Sequence, residues 1–216
     1  MPPESEKVVA LRRLLNERFP AAHARPRRIV PTGVAQIDRL LGGGLLTGSL
    51  TEFVSGVPSG GSQLAVGSLI LSTRAARQRV ALIDAAGTFD LSGFDDDAMA
   101  HVVWVRCHTL AEAWRAADLA VRDPNYSTVI LDVRGFPLRG LMRTRDAVWV
   151  RLQRAAEHTD VALMVQTESA VVPNAGARVL FSHGLGDSTL TEDRATLTLE
   201  VAVELQRARI AREVAS

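Results

Sequence analysis

The stretch GVPSGGSQ, residues 56–63, decides how the chain folds, because it lies between a predicted strand and a predicted helix. The strand is the apolar run at residues 50–54, and the helix is predicted over residues 62–77. Gly56 and Gly61 fit a phosphate-binding loop, G-x-x-x-x-G-K-[ST], in which backbone amides and the next helix's N-terminus surround phosphate groups. The segment therefore predicts an α/β domain with such a loop after its first long strand.

Two positions of this loop depart from the motif. Ser62 stands where a lysine reaches the phosphates, and Gln63 stands where a serine or threonine hydroxyl holds magnesium. A charge-assisted hydrogen bond contributes about 1.5 to 3 kcal/mol, so losing the lysine alone weakens nucleotide binding by about tenfold to a hundredfold. We therefore predict a degenerate nucleotide site and no cofactor.

Downstream, apolar β-branched runs alternate with helical stretches, which predicts a mostly parallel central sheet flanked by helices. An apolar-polar alternation from Leu197 to Leu205 predicts an antiparallel strand near the C-terminus, which extends the sheet together with residues 178–181. The other predicted strands are residues 79–84, 102–106, 128–133 and 161–166, and the other predicted helices are residues 110–122 and 145–158.

The composition excludes several classes of protein. With 216 residues, 47% apolar and 23% charged, the chain has enough apolar material for one medium-sized core, which excludes disorder of the whole chain. A formal net charge of +1 argues against coating nucleic acid by charge alone. One cysteine excludes an internal disulfide framework, and the histidine spacings match no zinc pattern. No apolar run approaches a membrane span and no signal peptide is evident, so we predict a cytoplasmic protein without membrane contact.

An amphipathic helix is predicted ahead of the core, over residues 7–19. Its apolar face carries Val8, Leu11, Leu14 and Leu15, and the proline-containing residues 20–28 predict an extended linker. We therefore divide the chain into a helix and linker, residues 1–28, and a core domain, residues 29–216. The apolar face is buried either on its own domain or on another protein, and the sequence leaves both alternatives open.

The order of motifs resembles the RecA family. Residues 31–61 look like the opening of the RecA core, and ALIDAAGTFD, residues 81–90, is similar to the segment that carries the family's catalytic glutamate, with Ala86 in its place. VILDV, residues 129–133, resembles the second nucleotide motif and ends near Asp132, and VALMVQ, residues 161–166, resembles the strand that ends in a phosphate-sensing glutamine, here Gln166. The resemblance implies a RecA-like core without enzymatic activity. An alternative interpretation is structural, with the Asp132 carboxylate capping loop amides and the Gln166 amide bonding backbone.

The segments after Asp132 and Gln166 are shorter than the two DNA-binding loops of RecA, and we expect the core to lack the RecA carboxyl-terminal domain. In these respects the chain resembles the ImuA family, accessory proteins encoded beside error-prone polymerase components in bacterial mutagenesis cassettes. The resemblance implies a protein of the DNA-damage (SOS) response that binds RecA, limits filament formation or strand exchange, and favours translesion synthesis. It also makes translesion polymerase components candidate partners.

The sequence leaves two other functions open. SulA, another short RecA-like protein without a working phosphate loop, inhibits cell division by binding FtsZ, and the chain could act in the same way. Alternatively, the chain is an ATPase whose missing positive charge comes from elsewhere, for example from Arg74 or a neighbouring subunit.

Nucleic-acid and metal sites are weakly indicated. Four arginines follow Asp132 and are candidate DNA contacts, although a solvated arginine-rich loop explains them better: Arg134, Arg139, Arg143 and Arg145. We therefore expect weak or no direct DNA binding. The run of three aspartates at residues 95–97 is expected to cap a helix or face solvent rather than hold a metal. For Asp132 itself, we expect the Ser62 hydroxyl or a loop amide to be the donor.

Overall fold

The computed structural model describes residues 27–186 and 191–208. They form an α/β fold with a seven-stranded, mostly parallel central sheet flanked by helices, as the sequence predicts. In chain order the elements are β1 (Ile29–Val30), α1 (Ala35–Leu41), β2 (Leu45–Leu46), β3 (Ser49–Val54), α2 (Ser62–Ala75), β4 (Val80–Asp84), α3 (Asp96–Met99), β5 (Val102–Arg106), α4 (Leu110–Arg122), β6 (Thr128–Asp132), α5 (Leu138–Met142), α6 (Asp146–Thr159), β7 (Ala162–Thr167), β8 (Ala177–Phe181), α7 (Arg194–Glu200) and β9 (Val203–Ala208).

The central sheet has the strand order β5-β4-β6-β7-β3-β8-β9. All neighbouring strands are parallel except β8 and β9, which pair antiparallel, and the short strands β1 and β2 pair separately. Strands β4, β6 and β7 are buried along their whole length, because helices cover both faces. Their continuous apolar runs are the composition that such central strands require.

Helices cover the two faces of the sheet with separate apolar clusters. On one face α4 and α6 pack through buried residues that include Ala117 and Trp149. The rings of Trp114 and Trp149 pack edge to face, with their centroids 4.9 Å apart. On the other face α1 and α2 contribute Ile37 and Leu69 to the second cluster. The phosphate-loop motif therefore lies between strand β3, which is buried after its first residue, and helix α2, which is packed along most of its length.

The C-terminal segment differs from the prediction. Residues 197–200 belong to helix α7 rather than to a strand, and the last strand begins only at Val203. The Asp193 side chain accepts a hydrogen bond from the Thr196 amide at 2.8 Å, which caps the helix and competes with the strand that the alternation suggests. Leu199 is left exposed as a result. From Val203 onward the strand does alternate between half-buried and exposed residues, as the sequence predicts.

The predicted N-terminal helix lies outside the described residues, together with its candidate contact residues Val8, Leu11, Leu14 and Leu15. It therefore stays a prediction. The first described residues are fixed to the core, because the Arg28 amide donates to the Thr47 hydroxyl at 2.8 Å and the Arg28 guanidinium pairs with Asp160 at 2.8 Å. Within the described ranges, no helix is long and apolar enough to cross a membrane.

Candidate functional site

The phosphate-loop motif opens into a cavity of about 620 Å³ at the carboxyl ends of the central strands. The sheet register aligns Asp132 with Gln166 on neighbouring strands, and helix α2 begins at Ser62 directly after the loop. The structure therefore brings these three residues together at one edge of the sheet. Other residues that line the cavity include Thr88, Arg134, Glu168, Leu185 and Leu197.

The glycines of the loop are packed against the chain itself. Gly61 has a φ of +82°, and a Cβ there would lie 2.9 Å from the Val201 side chain. A Cβ on Gly56 would lie 2.8 Å from the Glu168 carbonyl oxygen. On the same loop, the Ser59 carbonyl accepts a hydrogen bond from the Leu185 amide at 2.9 Å. Both glycines thus allow C-terminal parts of the chain to approach the loop closely.

The two residues that replace the motif's lysine and hydroxyl make internal hydrogen bonds. Gln166 Nε2 donates to Ser62 Oγ at 2.8 Å, and both side chains are buried. Gln63 Nε2 donates to the Thr88 carbonyl oxygen at 3.2 Å, which ties the first turn of α2 to the loop after β4. The positions that serve phosphate and magnesium in the intact motif therefore connect elements of the fold here.

The Asp132 carboxylate is 1% exposed and is held by Arg134 and Thr88. Arg134 donates from Nε to Oδ1 at 3.0 Å and from Nη2 to Oδ2 at 2.6 Å, and its backbone amide donates to Oδ1 at 3.1 Å. The Thr88 hydroxyl donates to Oδ2 at 3.1 Å. The expectation of a loop-amide donor is confirmed and that of a Ser62 donor is wrong, because Ser62 bonds Gln166 instead. A guanidinium from the same chain thus occupies both carboxylate oxygens.

Because it is engaged by Asp132, Arg134 is a poor candidate for DNA contact. Its side chain is 15% exposed and is ion-paired with Asp132, so it is not free to bind a nucleic-acid phosphate. The other three candidates, Arg139, Arg143 and Arg145, are exposed on α5 and the turn that follows it. For those three, DNA contact stays a prediction.

The loop after β4 carries Ala86, an exposed residue without any group that could activate water. Asp84 shapes this loop by accepting hydrogen bonds from the Thr88 amide at 2.9 Å and the Phe89 amide at 3.4 Å. Cys107 lies near Ala86 in a neighbouring cavity. Burial raises the pKa of the Cys107 thiol, with smaller contributions from Glu112 and Asp84, so little nucleophilic thiolate is present at neutral pH.

Sequence reasoning missed the parts played by Asp84, Thr88 and Arg134. One signal was available for Arg134, because its two-residue spacing from Asp132 at a strand end allows both its amide and its guanidinium to reach the carboxylate. No local signal marks Thr88, which is 44 residues from Asp132 in the chain.

Arg74 does not supply the missing positive charge. It lies near the end of α2, twelve residues after Ser62, which corresponds to about 18 Å along a helix. There it pairs with Asp97, and the hydrogen bond from Arg74 lowers the pKa of the Asp97 carboxyl. Asp95 caps α3 by accepting from the Ala98 amide, as expected for the acidic run. In the described parts of the chain, no three His, Cys, Asp or Glu residues are grouped to hold a metal ion.

The chain matches no protein-family model, and no curated protein is significantly similar to it.

Proposed function

We propose that the protein is a non-catalytic, RecA-like accessory protein of the DNA-damage (SOS) response. In this proposal it binds RecA, limits filament formation or strand exchange, and so favours error-prone translesion synthesis. Its degenerate nucleotide site serves as part of the scaffold and takes no part in ATP hydrolysis.

One observation carries the absence of catalysis: Arg134 and Thr88 occupy both oxygens of the Asp132 carboxylate. In the intact motif this carboxylate orients magnesium, and a bidentate guanidinium at the same oxygens competes with that coordination. Ser62 supplies no cation for phosphate, and Ala86 supplies no base for water. Binding of the metal, charge stabilisation and water activation are therefore all impaired.

The packing of the C-terminal segment on the phosphate loop supports a scaffolding role. Leu185 donates its amide to the Ser59 carbonyl, and the Val201 side chain lies against Gly61. These contacts hold the loop against the rest of the domain. In this proposal the loop at residues 56–63 stabilises the domain, and the surface of the domain binds the partner.

The RecA connection is supported by the order of the motif positions. The loop at residues 56–63 follows β3, Ala86 lies in the loop after β4, and Asp132 and Gln166 lie at the carboxyl ends of β6 and β7. These four strands are neighbours in the sheet, in the order β4-β6-β7-β3. The engagement of Arg134 by Asp132 is consistent with weak or no DNA binding. Translesion polymerase components remain candidate partners in this proposal.

We expect no ATP hydrolysis above background and no ATP binding at micromolar concentration. The reasons are the absent cation at Ser62, the occupied carboxylate of Asp132 and the absent base at Ala86. Isothermal titration calorimetry with Mg-ATP and a phosphate-release assay test this expectation. Turnover that disappears in Asp132→Ala, or micromolar binding heat from the wild type, would instead support the ATPase alternative.

We expect Leu11→Asp combined with Leu15→Asp to leave the core folded and to weaken RecA binding by about tenfold or more. The two substitutions place charge on the predicted apolar helical face, where burial of each aliphatic side chain contributes about 1.5 to 3 kcal/mol. Biolayer interferometry with RecA measures the affinity, and a strand-exchange assay with RecA measures the inhibition.

A matched control is Arg12→Ser combined with Arg13→Ser, which changes the net charge by the same amount on the opposite face of the predicted helix. We expect this control to bind RecA as the wild type does. Unchanged RecA binding by the folded aspartate variant moves the interface elsewhere. Binding to FtsZ instead of RecA in a parallel measurement supports the cell-division alternative.

A further inference from the structure

Helix α5 presents an exposed surface that the proposed function does not use. Leu138 and Met142 are 49% and 66% exposed, one helical turn apart on this short helix. Between them Leu141 is buried in the core cluster and anchors the helix to the domain. These two adjacent side chains form a small apolar patch on a helix that is anchored to the core.

Three arginines lie in the same segment as these apolar side chains: Arg139, Arg143 and Arg145. All three are exposed, and none forms an ion pair with another residue in the described ranges. The chain carries no acidic residue between Asp132 and Asp146, so nothing within this segment offsets their charge. We call Leu138, Arg139, Met142, Arg143 and Arg145 the α5 surface.

The backbone of the α5 surface is preorganised. The Pro137 carbonyl accepts from the Gly140 amide at 2.8 Å, and the Leu141 carbonyl accepts from the Thr144 amide at 3.0 Å. The next turn is closed by the Arg145 carbonyl, which accepts from the Val148 amide at 2.9 Å. A partner would therefore not have to order this backbone on binding, which reduces the entropic cost of association.

We propose that the α5 surface docks an acidic peptide segment of a partner protein, one that carries apolar side chains between its carboxylates. Charge complementarity identifies this occupant: the unpaired arginines attract and orient carboxylates, and the apolar pair at Leu138 and Met142 accepts the partner's apolar side chains. A nucleic-acid backbone would use the arginines but would gain nothing from burying these apolar side chains. The one aromatic residue of the segment, Phe136, is half-buried against the core.

The proposal goes beyond the proposed function, because it holds whether or not RecA is a partner. A displayed library of random short peptides, selected against the full chain, tests it. We expect the recovered peptides to combine Asp or Glu with Leu, Met or Phe. Their binding should weaken by about tenfold or more in Arg139→Glu with Arg143→Glu, and similarly in Leu138→Ser with Met142→Ser. Binding to the wild type should also weaken as salt is raised.

The matched control is Arg39→Glu with Arg79→Glu, which makes the same charge change at exposed positions on α1 and before β4. This control should bind the selected peptides within about twofold of the wild type. Circular dichroism and urea midpoints establish that each variant is folded, and all four α5 substitutions are at exposed positions.

Three outcomes would overturn the proposal: recovery of no peptides, recovery of peptides without acidic residues, or peptide binding that both α5 variants retain. Fluorescence anisotropy with labelled oligothymidylate provides the nucleic-acid comparison. Oligonucleotide binding that is lost in the arginine variant and kept in the Leu138 and Met142 variant, without peptide binding, would assign the surface to nucleic acid.

Discussion

Replacing Arg178 by alanine is expected to lower the free energy of unfolding by about 3 to 5 kcal/mol, because it leaves a buried carboxylate without its positive partner. The Glu52 side chain is fully buried in β3 and accepts from Arg178 Nε at 2.6 Å. Its other oxygen accepts from the Val171 and Val172 amides at 2.8 and 3.1 Å. Arg178 itself is 17% exposed, so solvent replaces its charge poorly. Urea denaturation at neutral pH measures the loss.

A double-mutant cycle separates the ion pair from simple loss of packing. In the Glu52→Gln background, which keeps an acceptor for the two amides but removes the charge, Arg178→Ala should cost much less than in the wild type. Arg115→Ala serves as the control, since Arg115 is exposed on α4 and is expected to change stability by less than about 0.5 kcal/mol. An Arg178→Ala variant as stable as the wild type would show that Glu52 does not need this partner.

The parts of the fold that the sequence predicts best are the strands whose burial is uniform. Strands β4, β6 and β7 are covered on both faces, so each carries an uninterrupted apolar run, and their ends are predicted to within one residue. The C-terminal segment is harder to predict, because the alternation at residues 197–205 fits a strand. In the structure, a helix capped by Asp193 includes the first four of these residues. Local capping overrides periodicity there, and nothing in the alternation signals the cap.

The site was predictable in its position but not in its internal pairing. Chain order alone places Ser62, Asp132 and Gln166 at the same sheet edge, because the carboxyl ends of parallel strands meet there. Which donor satisfies which acceptor depends on distances that sequence does not contain. The same holds for Glu52, whose partner Arg178 lies 126 residues further along the chain. A lone glutamate inside an apolar strand was the only local sign that a buried ion pair existed.

Replacing Arg134 by alanine is expected to lower the free energy of unfolding by about 3 kcal/mol, the lower end for a broken buried pair. The Asp132 carboxylate is 1% exposed and would lose two of its charge-assisted hydrogen bonds, while those from Thr88 and the backbone amide of residue 134 would remain. Asp132→Asn should also destabilise the protein, because only the oxygen of the new amide accepts hydrogen bonds. Its NH2 group cannot replace the second carboxylate oxygen, so some of the hydrogen bonds from Arg134 and Thr88 would be lost. Urea denaturation of both variants measures these losses.

The combination of Arg134→Ala with Asp132→Asn tests whether the two residues stabilise the fold through their contact with each other or independently. If the guanidinium acts through the carboxylate, the double variant should lose clearly less stability than the sum of the single variants, by about 1 to 3 kcal/mol. Arg139→Ala is the matched control, because this arginine follows in the same segment but is exposed and outside the pair. Asp132→Asn within about 0.5 kcal/mol of the wild type would contradict the anchoring role. A positive cycle would mean that the buried Asp132 carboxylate stabilises the fold through the chain's own arginine.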